Sequence, residues 1–131
     1  MIVVDASALL EFLLRTAVGA KVETRLFKKF EEFHAPHLVD VEVAQGLRRL
    51  VRLREVSAVR AEEALADLVD FDLHRHAHVN LLDRAWTLPD NITAYDAMYI
   101  ALAEALDAPI VTCDVRLSKT GGHRAKIDAV A

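Results

Sequence analysis

Apolar residues along the chain fall into two patterns, short unbroken runs and longer stripes at helical spacing. "IVVD" at 2–5 and "PIVTCD" at 109–114 run apolar without alternation up to a terminal aspartate. Such runs suit strands buried on both faces of a parallel sheet. "FHAP" at 33–36 and "FDLHRHA" at 71–77 are weaker strand candidates, and "AKIDAV" at 125–130 reads as an edge strand. Between them lie helical stretches at about 6–15, 17–32, 37–53, 56–70, 78–88 and 94–107. The last is the clearest. Thr93 is an N-cap with Asp96 three residues on, as in a capping box, and Ala97, Ala101 and Ala105 form a small-residue stripe suited to close packing on a sheet. Strands separated by helices imply βαβ units. The expected fold is a three-layer α/β/α domain, doubly wound, around a central parallel sheet of four to five strands.

Composition narrows this picture without changing it. A chain of 131 residues, 53% hydrophobic and 27% charged, suits one soluble globular domain over 1–131. Glycine and proline are few and scattered, so no linker or repeat is expected. No apolar run approaches the roughly 20 residues of a membrane span, and no basic segment precedes the first apolar run as in a signal peptide. The single Cys113 cannot form an intramolecular disulfide, which suits a reducing cytoplasm. The net charge of −4 argues against a broad DNA-gripping basic surface, although a bound divalent cation offsets local carboxylates.

The fold makes a geometric prediction about the acids. In an open parallel sheet, ligands bind beyond the carboxyl ends of the strands, at the topological switch point. Asp5 and Asp114 end inner strands, and Asp96 sits in the first turn of a helix whose N-terminus returns to that edge. In the helix at 37–53, Val39, Val43, Leu47 and Leu50 form the apolar stripe. Glu42 lies about 60° from Val39 on its inner flank. Each acid has a plain alternative as a cap, a turn former or a flank residue. The alternatives do not explain why all four reach one edge. Crowded carboxylates repel, and oxygen-only ligands suit Mg²⁺ or Mn²⁺, which can activate water for phosphodiester hydrolysis.

"VVDASALL" at 3–10, "VDVEVAQGL" at 39–47, "TAYDAMYIALAEAL" at 93–106 and "PIVTCD" at 109–114 resemble, in order and spacing, the motifs of PIN-domain ribonucleases. The likeness is greatest to the compact VapC-type toxins of bacterial toxin–antitoxin pairs. The resemblance implies a Mg²⁺- or Mn²⁺-dependent endoribonuclease with an acidic quartet at Asp5, Glu42, Asp96 and Asp114. Ser7 and Thr112 match the supporting hydroxyl positions. It also implies a homodimer, an RNA substrate and a small antitoxin protein covering the active-site groove.

Other signals are secondary. His74, His76 and His78 share one face of an extended segment, a Zn²⁺ or Ni²⁺ pattern without an evident acid partner. Strand alternation turns Cys113 away from the site, toward packing. "LLEFLLR" at 9–15 surrounds its helix with apolar residues, which suits either a well-buried helix or a partner groove shared with the next helix. The family resemblance favours the groove, with Phe12, Leu13, Leu26, Phe27 and Phe30 as antitoxin contacts. Arg116 and Lys119, just after Asp114, are the first candidates for RNA phosphates, with Arg15, Arg84 and Arg124 behind them. Trp86 reads as helix packing. The main rival is a receiver-like, Mg²⁺-binding signalling module, but "DAS" supplies one acid where that module places a pair.

Overall fold

The computed structural model describes residues 1–131. Five parallel strands, β1 (Ile2–Val4), β2 (Phe33–Pro36), β3 (Leu73–His76), β4 (Ile110–Thr112) and β5 (Ile127–Ala129), form one sheet in the order β3-β2-β1-β4-β5. The chain steps outward from β1 to β2 and β3, then crosses back to β4. The switch point therefore falls between β1 and β4, where an open parallel sheet forms its crevice. A receiver-like module carries the order 2-1-3-4-5, so the strand order excludes that rival.

Helices α1 (Ala6–Leu14), α2 (Ala17–Leu26), α3 (Leu38–Arg52) and α4 (Ala58–Asp70) lie in the connections from β1 to β3. Helices α5 (Leu82–Thr87) and α6 (Ala94–Leu106) lie in the return crossover. Right-handed crossovers in opposite directions put these two sets on opposite faces. The side chains agree. Phe33 stacks on Phe71 at the end of α4, and Arg75 reaches Asp40 of α3 and the Leu68 carbonyl of α4. His34 and His74, one residue out of phase, project to the other face.

Side-chain caps set most helix starts. Asp5, Thr16, Ser57 and Thr93 each accept the backbone N–H three residues on. Arg15 and Asp107 close α1 and α6 in the left-handed conformation, at φ of 55° and 50°. Two stretches differ from the sequence expectation. Helix α2 stops at Leu26, because residues 27–32 must turn the chain back into β2, with Phe27 packed edge-on against Phe33. The stretch at 78–88 divides into a 3-10 turn at Val79–Leu81 and the short α5; neither has a side-chain cap.

One cluster of 27 buried apolar residues runs through the sheet and its helices, with Ile2, Val3, Val4, Ile110 and Val111 at its centre. Leu9 and Leu13 of α1 are buried, and Leu10, Phe12 and Leu14 pack partly buried against the core. Contacts with α2, α3 and α4 therefore account for most of that all-round apolar helix. No helix is long and apolar enough to cross a membrane.

Candidate functional site

The carboxyl end of β1 delivers Asp5 into a buried polar nest, and the side chain is only 6% exposed. Its Oδ1 accepts the Ser7 hydroxyl at 2.6 Å and the Ala8 N–H at 3.0 Å, so Asp5 is also the α1 cap. Its Oδ2 accepts the Thr112 hydroxyl from β4. Register explains the meeting: Val4 pairs with Val111, so the next positions face each other. The hydroxyls are tied back to the β4 turn, since Ser7 Oγ accepts the Cys113 N–H and Thr112 Oγ1 accepts the Asp114 N–H, each at 2.9 Å. Both expected supporting hydroxyls are therefore in contact with the first acid.

Glu42 enters from α3, half-buried, and accepts the Tyr99 hydroxyl at 2.7 Å. Asp96 enters from the first turn of α6, where its backbone N–H is capped by Thr93. Asp114 follows β4 and is gripped by Arg116, which donates from Nη2 at 2.9 Å, Nε at 3.2 Å and its backbone N–H at 3.0 Å.

The electrostatics tie these acids together. Burial raises the Asp5 carboxyl above its ordinary value against the pull of its three hydrogen bonds, with a further push from Asp96. Burial likewise raises Glu42, and the charges of Asp5 and Asp96 add to it. Asp96 is raised by burial and then by Asp114. Asp114 alone is lowered, chiefly by its hydrogen bonds from Arg116. Thus the acids sense one another, and Arg116, which pairs with Asp114, also partly offsets the rise of Asp96.

A hard divalent cation fits this donor set. The candidate ligands are carboxylates, and each raised carboxyl would be favoured in its charged form by a nearby cation. No three His, Cys, Asp or Glu groups form a ready-made set able to hold an ion.

The cationic candidates separate by position. Arg116 pairs with Asp114, and the exposed Lys119 ends the short 3-10 turn that follows. Arg15 caps the far end of α1, at the opposite edge of the sheet, and is excluded from the site by topology. Arg84 and Arg124 are both engaged by Glu104, Arg84 through two hydrogen bonds at 2.7 and 3.0 Å. Arg124 also donates its backbone N–H to that carboxylate.

Trp86 corrects the expectation of helix packing: it is 91% exposed, because Ala85 and Leu81 turn inward instead. Among the candidate partner contacts, Leu26 is fully buried in the core and has no surface to offer. Phe12 and Leu13 line a cavity of about 480 Å³ between α1, α2 and α4, with Gly19 and Phe71. Phe27 and the fully exposed Phe30 lie on a neighbouring groove.

The histidines form a different group from the one expected. His78 lies beyond the end of β3 and faces His37. His34 of β2 takes its place, stacked on His74 and hydrogen-bonded to His76 at 2.8 Å. Glu32 is the acid partner absent from the local sequence, 3.7 Å from His34 and 3.6 Å from His74. The stacked rings do not converge on a common point, in keeping with the absence of a metal-holding set. Cys113 is partly buried, and burial pushes its thiol up to about 11.

The residue that sequence reasoning missed is Tyr99, 57 positions from the acid it contacts.

A family model for the PIN domain matches residues 2–123. VapC ribonuclease Mb0985 of Mycobacterium bovis is 43% identical over 130 residues, covering 99% of this chain and 98% of that protein. PAE2754 from Pyrobaculum aerophilum, a solved structure, is similar with a TM-score of 0.68 at 28% identity, over 97% of this chain and 82% of its own. A structure of VapBC2 from Rickettsia felis bound to a DNA fragment from their promoter matches in fold, with a TM-score of 0.68 at 12% identity and both chains fully covered.

Proposed function

This chain belongs to the PIN-domain family, in its VapC branch, and from that premise we propose that it is a metal-dependent endoribonuclease, the toxin of a toxin–antitoxin pair. What supports the reading is that acids from four segments lie toward the sheet's switch-point edge, three of them raised by burial and by one another's charge. Asp5, Glu42, Asp96 and Asp114 would hold Mg²⁺ or Mn²⁺. Such an ion supplies positive charge for a phosphodiester and acidifies a water for in-line attack.

The chain's own residues have distinct tasks. Ser7 and Thr112 fix both oxygens of Asp5 and oppose, without cancelling, the rise that burial imposes on its carboxyl. Arg116 screens Asp114 and, at the open rim, is the residue placed to take an RNA phosphate; Lys119 follows it. The cavity beside Phe12 and Leu13, with Phe27 and Phe30 near it, mixes apolar and charged side chains and shares Arg15's edge of the sheet, opposite the acids, so an antitoxin seated there would have to extend across the domain to cover the site. The homodimer would use the face around Trp86, Leu82 and Tyr95, exposed apolar side chains of α5 and α6. Residues 1–131 act as one PIN-like domain, and the single thiol suits the cytoplasm.

Induced expression in a bacterial host tests the toxin reading. Growth arrest is expected from the unaltered chain and not from Asp96→Asn produced at the same level. Arrest by both, or by neither, would contradict it.

A further inference from the structure

Tyr99 joins the two helix layers across the top of the sheet. Its ring belongs to α6 and is only 1% exposed, while its hydroxyl reaches Glu42 of α3 at 2.7 Å. The Ala6 N–H, at the start of α1, faces the same phenolic oxygen. A tyrosine has one O–H to donate, and here it goes to Glu42 Oε1. Burial of the ring makes that donation hard to exchange for water. Glu42 Oε2 has no hydrogen-bond donor in the protein, so one oxygen is engaged and the other is uncommitted.

We infer that Tyr99 is a positioning residue for the acidic site, fixing Glu42 so that its second oxygen serves a bound divalent cation. The inference rests on reading Glu42 as a site acid. Leu, Phe or Met would fill the same volume in α6. None of them would hold a flexible glutamate from another helix at a fixed distance from Asp5. A long side chain without that anchor must lose rotamer freedom each time it binds, and this weakens the cation.

A double-mutant cycle on the full chain tests it. Tyr99→Phe, Glu42→Gln and the double variant are compared with the unaltered protein by urea unfolding without metal and by calorimetric titration with Mn²⁺. Tyr99→Phe keeps the buried ring and should weaken Mn²⁺ binding about tenfold, the equivalent of one charge-assisted hydrogen bond. In the Glu42→Gln background the same change should weaken it no further. Unchanged Mn²⁺ affinity in Tyr99→Phe, or equal weakening in both backgrounds, overturns the inference. An unaltered protein that takes up no Mn²⁺ overturns the metal reading and the positioning role with it. Non-additive urea midpoints would then mark Tyr99–Glu42 as a hydrogen bond of structure alone.

Discussion

Thr112 makes two hydrogen bonds within the site, donating to the buried Asp5 carboxylate and accepting the Asp114 N–H, with Ser7 Oγ a further neighbour at 3.2 Å. Thr112→Val keeps the shape and removes both, so urea unfolding should register a loss of about 1–3 kcal/mol, and Thr112→Ser should recover most of it. Arg116 works in the opposite sense. It holds Asp114 with three hydrogen bonds yet remains 89% exposed, so it competes with a cation for that acid. Arg116→Gln should tighten Mn²⁺ binding while raising KM for RNA; a variant that weakens Mn²⁺ would contradict that role. At this scale the sequence was informative where residues are near in the chain or matched by strand register. "IVVD" and "PIVTCD" brought Asp5 and Asp114 to one edge as strand ends, and the family resemblance supplied Ser7 and Thr112. It was silent on Tyr99 and on the Glu104 pairing of Arg84 and Arg124, because those contacts cross between elements and have no local spacing.

Two glycines decide how closely the elements approach. A Cβ on Gly19 would lie 2.1 Å from the Glu11 carbonyl oxygen, so α2 could not keep its contact with the end of α1. A Cβ on Gly46 would meet Leu10 Cδ2 at 2.9 Å, the mobile end of a side chain. Gly19→Ala should therefore cost about 2–3 kcal/mol in urea unfolding and Gly46→Ala clearly less. The reverse ranking would contradict the backbone approach. Strands were legible to within two or three residues because apolar runs bounded by Pro, Gly and acids mark them well. The end of α2 was not, since "FKKFEE" has helix-compatible residues and only the need to re-enter β2 breaks it. The short α5 was merged with its preceding 3-10 turn because no cap residue separates them.

For the molecule as a whole, the alternation of strands and helices was enough to predict a doubly wound sheet, but not the strand order. That order depends on which way the chain turns after β3, and nothing local specifies it. The assembled charges then set how stability varies with pH. Asp5, Glu42 and Asp96 are raised by burial, so the folded chain keeps protons that the unfolded chain has released. Stability contributed by these groups falls as pH rises from the unfolded carboxylate range through their raised values, and stays low above them. Glu104 acts oppositely: hydrogen bonds from Arg84 draw it from 4.5 to about 2, so its contribution is lost as pH falls through that window. Without metal, urea midpoints should be highest within the ordinary carboxylate range and decline as pH rises above it. Saturating Mn²⁺ should remove the decline, and a metal-free midpoint that climbs steadily to neutral pH would contradict this. The exposed α5–α6 face has a separate test, since Trp86→Glu should shift the sedimenting species from dimer to monomer. A monomer before substitution would reject that interface.

The most direct test of the central claim is cleavage of cellular RNA by the purified chain with Mn²⁺, beside EDTA-treated and Asp96→Asn samples. Discrete fragments are expected from the unaltered protein with Mn²⁺ and none from either control. Cutting that persists in EDTA or in Asp96→Asn would contradict it.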